Sequence, residues 1–139
     1  MIARLFCWMI AIAMASLTQV ASAEDGYDLW LRYRPTQGEA ANRIATQATA
    51  IVAPGNSATL TAVRAELQRG VTGMTGKAPA LLETVQQGAL WLASSASTPA
   101  LPVKTEGLGS EGYAIRSVTK DGKAVTLIAA NSDIGLLHG

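Results

Sequence analysis

Residues 48–71 read ATAIVAPGNSATLTAVRAELQRGV, and two structural periods meet inside them. Ala48 to Ala53 is a short apolar run with β-branched residues, which suits a strand. Pro54-Gly55-Asn56 stops it. Asn56 or Ser57 can then accept a hydrogen bond from the free N–H groups of a first helical turn, and Leu60, Val63, Ala65, Leu67 and Val71 recur near helical spacing. A strand followed at once by a helix, from about Ser57 to about Val71, sets the layered pattern against which the remaining segments are read.

Upstream, Tyr27, Leu29, Leu31 and Tyr33 fall on one face and Asp28, Trp30 and Arg32 on the other, which predicts a strand with one buried side. Pro35 and Gly38 break it. Downstream, Gly70, Gly73 and Gly76 are expected to loosen the chain, and Ala78 to Leu82 reads as a short edge strand. Ala89 to Ala93 (ALWLA) is uninterrupted apolar sequence of strand length and fits a strand covered on both faces. The polar, Pro-containing stretch Ser94 to Gly109 reads as surface loop. Gly112 to Val118 and Lys123 to Ala130 are β-rich runs joined by Thr119-Lys120-Asp121-Gly122, and Asp-Gly between strands predicts an antiparallel hairpin. Asn131-Ser132-Asp133 offers a cap, after which Ile134, Leu136 and Leu137 begin an apolar helix. A marginal helix wants about 12 residues, so this one reads as truncated at Gly139. The order of elements predicts an α/β fold with a mixed sheet covered by helices and no internal repeat.

Composition bounds what such a domain can do. The chain has 139 residues, 49% of them apolar and 15% charged, enough for one domain. Arg4, the apolar run Leu5 to Leu17 and the small residues Ala21-Ser22-Ala23 read as a secretory signal peptide over residues 1–23, cleaved after Ala23; the run falls short of the about 20 apolar residues of a membrane span. The domain proper is then 24–139. Arg4 is the leader's one charged residue, so 11 basic and 10 acidic residues become a balanced set after cleavage. A neutral chain lacks the clustered Lys and Arg that nucleic acid or anionic lipid requires. The single cysteine, Cys7, lies in the leader, which excludes disulfides, a thiolate nucleophile and a cysteine metal site from the exported part.

Residues with chemical potential have plain structural explanations. His138, the one histidine, sits beside the terminus, where a catalytic or metal role would lack an orienting partner. The carboxylate pairs Asp25 with Asp28 and Glu106 with Glu111 invite comparison with glycosidases, which hold two acids about 5 to 10 Å apart. An acid with a raised pKa needs an apolar pocket, however, and both pairs lie in segments expected to be solvated. The Gly55-Asn56-Ser57 junction lacks a phosphate fingerprint and a lysine, so capping accounts for it. Glu66, Gln68 and Arg69 are expected on the solvated face of their helix. Among aromatics, Trp91 reads as core, whereas Trp30 and Tyr113 are the candidates for stacking on a sugar ring. Residues alone therefore assign no catalytic, cofactor-binding or metal-binding position.

Several segments together resemble the N-terminal domain of the α-glucuronidases of glycoside hydrolase family 67. They are Glu24 to Tyr33 (EDGYDLWLRY), Ala65 to Gly70 (AELQRG), Glu111-Gly112-Tyr113, and Ala129 to Gly135 (AANSDIG). The resemblance implies an enzyme that releases 4-O-methyl-glucuronic acid from xylo-oligosaccharides, with inversion, during xylan breakdown. It also implies a domain similar to the non-catalytic α/β domain ahead of the barrel in β-hexosaminidases. In that family the catalytic carboxylates sit on a (β/α)8 barrel, a fold of about 250 residues that does not begin before Gly139 here. The resemblance thus implies no catalytic residue within these positions, and a missing barrel of the same enzyme as partner. Two other readings are a free-standing carbohydrate-binding module for xylan fragments, using Trp30 and Tyr113, and a small periplasmic interaction protein docking through its C-terminal apolar residues.

Overall fold

The computed structural model describes residues 33–98 and 100–139. The leader over 1–23 and the strand expected over Tyr27–Tyr33 lie outside the described residues, except Tyr33 itself, which is in irregular backbone. Among the described residues, strands β1 (Ala50–Val52), β2 (Ala80–Leu81), β3 (Leu90–Ser94), β4 (Tyr113–Lys120) and β5 (Lys123–Ala130) form one five-stranded sheet. Their order is β2-β1-β3-β5-β4. The first four in that order run parallel, and β4 closes the far side antiparallel to β5. With helices α1 (Gly38–Gln47), α2 (Ala58–Thr75) and α3 (Asp133–His138), this is the expected α/β architecture with a mixed sheet.

The strands form where the sequence places them, for local reasons. All three residues of β1 are buried, because the strand lies inside the sheet with both faces covered. The same holds for most of β3, whose Trp91, Leu92, Ala93 and Ser94 are all buried. The hairpin turns through Asp121 (φ 52°) and Gly122 (φ 73°), the pair of left-handed residues that a type I′ turn needs. Lys120 faces Lys123 as its closing pair, and the ladder runs without a bulge to Tyr113 opposite Ala130.

Helix α2 departs from expectation at its C-terminal half. Its start is as read: Ser57 is the N-cap, and its Oγ accepts the Leu60 N–H at 3.1 Å. Its end is not. Gly70 and Gly73 do not loosen the chain; both lie inside the helix, which runs to Thr75 and closes on left-handed Gly76. Tyr33 explains them. A methyl group on Gly73 would lie 2.6 Å from Tyr33 Cβ, and one on Gly70 would lie 3.0 Å from its Cε1. Each helical glycine costs about 1 kcal/mol against alanine, and here Gly70 leaves room for the Tyr33 ring while Gly73 leaves room for its Cβ and backbone carbonyl. The Tyr33 hydroxyl donates to Glu66 Oε1 at 2.7 Å, and the Thr36 N–H and Oγ both donate to the Met74 carbonyl at 2.9 Å. The face expected to be bare is therefore partly occupied, and Gln68 Nε2 also reaches the Pro79 carbonyl at 3.3 Å. Ala65, counted with the core stripe, is exposed; Leu60, Val63, Gly70 and Val71 are the buried positions.

Helix α1 has no counterpart in the sequence reading. It starts at Gly38, taken there as a breaker, contains no buried residue, and packs against α2.

The sheet separates two cores. On one face Ile51, Ala53, Leu92, Ile128 and Ala130 pack with Leu60 and Val63 of α2 and Leu136 of α3. On the other, Ala50, Val52, Trp91, Ala93, Val125, Leu127 and Ala129 pack with Val85 and with the half-buried Leu101, Val103 and Val118. Two of those covering residues come from the 94–109 loop and not from a helix. Each fully buried Leu or Ile contributes about 1.5–3 kcal/mol, so both cores are needed by a domain of this size.

Candidate functional site

In an open sheet of this kind, ligands settle outside the carboxyl ends of parallel strands, where neighbouring connections leave in opposite directions. The chain leaves β1 through α2 to β2 on one side, while β3 lies on the other. The candidate site is therefore the end carrying Ala53–Ser57, the start of the 94–109 loop and Asn131–Asp133.

The polar side chains at this end bind their own domain. The Ser57 hydroxyl donates to Asp133 Oδ2 at 2.6 Å while capping α2, so the starts of α2 and α3 are joined. Arg64, two turns further along α2, folds its guanidinium back onto the carbonyls of Ala53 and Gly55, which satisfies acceptors freed where β1 ends. Asn131 donates through Nδ2 to the carbonyls of Thr105 (3.1 Å) and Gly109 (2.9 Å), and its Oδ1 accepts from Ser95 Oγ at 3.1 Å. Ser132 caps α3 by accepting the Gly135 N–H at 3.2 Å and donates to the Ser110 carbonyl. Together these bonds fix three loops against one another. The Gly55-Asn56-Ser57 junction does the capping expected of it.

Two open hollows flank this end. One of about 320 Å³ lies beside the β2 edge and is lined by Pro54, Arg64, Leu81, Leu82 and Glu83 among others. The other, about 400 Å³, is enclosed by Ser95 and the loop residues Leu101 to Glu106. Glu106 lines the second hollow and Glu111 does not; both carboxylates are exposed. Asp25 and Asp28 lie outside the described residues. Among the described residues, no group of three or more His, Cys, Asp or Glu side chains is placed to hold a metal ion. His138 is exposed, with Nδ1 3.2 Å from the Glu111 carbonyl.

The aromatic candidates are divided by the fold. Trp91 is core, 6% exposed, with the Lys120 ammonium 5.8 Å from its ring centre. Tyr113 stands at the start of the edge strand β4, 43% exposed, with its ring against Gly139. Trp30 lies outside the described residues, so the proposed pair is represented here by Tyr113 alone. Of the side chains that organise this end most, Arg64 carried no signal in the sequence, and Asn131 was marked there only within a cap and a family-like segment. Arg64 sits in a helix as an ordinary charged residue, and Asn131 reads as a cap residue although its partners are 22 to 36 positions away.

No curated protein matches the chain. The family model described as "Glycosyl hydrolase family 67 N-terminus" matches residues 29–139, which spans the whole sheet and all three helices described above. Domains of this family normally accompany a catalytic domain in the same enzyme. With most of its length matched and the layered sheet lying within the match, this chain belongs to the family 67 N-terminal domains, related to the α-glucuronidases.

Proposed function

We propose that this is the non-catalytic N-terminal domain of an α-glucuronidase that releases 4-O-methyl-glucuronic acid from xylo-oligosaccharides. In this reading the bond-breaking carboxylates belong to a (β/α)8 barrel packed beside it, and residues 1–23 direct export. The observation that carries the proposal is the family match over residues 29–139. The employment of Ser57, Arg64, Asn131 and Ser132 as loop fasteners agrees with it, because a scaffold needs fixed loops more than free polar groups. Incubating the chain with aldouronic acids should release no glucuronic acid, and measurable turnover would overturn the reading. Export has its own check: intact-mass analysis of protein recovered from outside the cytoplasm should show a chain beginning at Glu24.

The exposed ring of Tyr113 favours a second reading, a carbohydrate-binding module in which Trp30 and Tyr113 stack on xylan fragments. Titration with xylo-oligosaccharides while following tryptophan emission separates the two. A saturable change lost in Tyr113→Ala supports binding; an unchanged spectrum at millimolar ligand removes it.

A further inference from the structure

Among the described residues, the two edges of the sheet differ in what they offer to another strand. β2 is two residues long, too short to template a ladder. β4 is eight residues long, contains no proline and pairs with β5 in unbroken register. In a hairpin with a two-residue turn the closing pair is hydrogen-bonded, so Lys120, Val118, Arg116 and Ala114 direct their backbone groups at β5. Tyr113, Ile115, Ser117 and Thr119 direct theirs outward. Two of these carry large apolar side chains, Tyr113 and Ile115, each 43% exposed. Such an edge is a ready acceptor for a second copy of the same strand.

Arg116 stands in the middle of it. Its side chain is exposed, and Nη1 donates at 2.8 Å to the Ile115 carbonyl, one of the outward acceptors. The geometry of self-pairing adds a second effect. Two copies of β4 related by a two-fold axis pair antiparallel. The register that joins all four outward residues on each copy places Tyr113 opposite Thr119, Ile115 opposite Ser117, and Arg116 opposite its own counterpart. That central pair is not hydrogen-bonded, so its side chains lie in the closer of the two cross-strand spacings, where like charges repel most.

We propose that Arg116 guards the β4 edge, keeping a second copy of this chain from extending the sheet. It does so by occupying the Ile115 carbonyl and by setting charge against charge in the longest self-pairing register. The full chain, as recovered from the expressing cell, is compared with Arg116→Thr by sedimentation velocity across a concentration series. The exposed position leaves the fold undisturbed, and circular dichroism checks this. Arg116→Thr should raise self-association on the order of tenfold, as a repulsive pair becomes a favourable Thr–Thr pair and two acceptors are freed. Adding Ser117→Pro, which removes an outward N–H and none that β5 uses, should return the protein to the parent's behaviour. Arg116→Glu should remain dissociated alone but form mixed dimers with the parent, because that register then sets opposite charges together. Arg116→Thr behaving like the parent, association that survives Ser117→Pro, or no mixed dimers would each overturn the proposal.

Discussion

The two faces of the sheet bury similar amounts of apolar side chain by different means. One is closed by regular helices, through Leu60, Val63 and Leu136. The other is closed in part by an irregular loop, through Leu101 and Val103, and that loop is fastened chiefly by the Asn131 side chain. A helix brings its own backbone hydrogen bonds to the surface it covers, whereas a loop must borrow partners from elsewhere. Similar burial therefore does not mean similar resistance to opening. The helix-covered face should open only with global unfolding, and the loop-covered face should also open locally.

Substitutions can break or sharpen this contrast. Leu92, 1% exposed under α2, should show the largest effect: Leu92→Ala should cost about 3 kcal/mol in urea denaturation, a typical loss for a buried leucine. Next is Gly73→Ala. Alanine's helix preference returns about 1 kcal/mol, but the added methyl group displaces Tyr33 and its bond to Glu66, for a net loss of about 1–2 kcal/mol. Tyr33→Ala keeps the Cβ and carbonyl that the added methyl group meets, so Gly73→Ala should remain destabilising in that background as well. Asn131→Ala should lower global stability by only about 1 kcal/mol, since it removes exposed and half-buried bonds. It should nonetheless speed amide exchange in the 94–109 loop and shift Trp91 emission to the red. A loss in Asn131→Ala as large as that in Leu92→Ala would erase the distinction between the faces. Leu101→Ala, in a half-buried position, should be smallest, below about 1 kcal/mol with no change in β3 exchange.

What could be read from the sequence divides along the same line between local and distant causes. The hairpin was legible because Asp121 and Gly122 decide it without help. The start of α2 was legible because Ser57 caps it three residues on. The glycines at 70 and 73 were misread because what occupies their missing side chains, Tyr33, arrives about 40 positions earlier in the chain. Helix α1 escaped notice because its inner face is short, with Ala41 and Ile44 half-buried, and because Gly38 at its start reads as a breaker. At the candidate site, the identity of Ser57 as a cap was accessible, but its bond to Asp133 was not, nor were the carbonyls that Arg64 and Asn131 hold. Tyr113 was named as a ring of interest, yet its exposure follows from β4 being the outermost strand, which only the strand order reveals.

The bond between Ser57 and Asp133 spans 76 positions. Its oxygen partners belong to the opening turn of the long helix and to the last element described, so the start of that helix gains this partner only when Asp133 arrives. During synthesis the face that α2 covers through Leu60 and Val63 therefore stays incompletely covered until Asp133 and Leu136 have left the ribosome. Such an arrangement favours a single late, all-or-none folding event over a stepwise one.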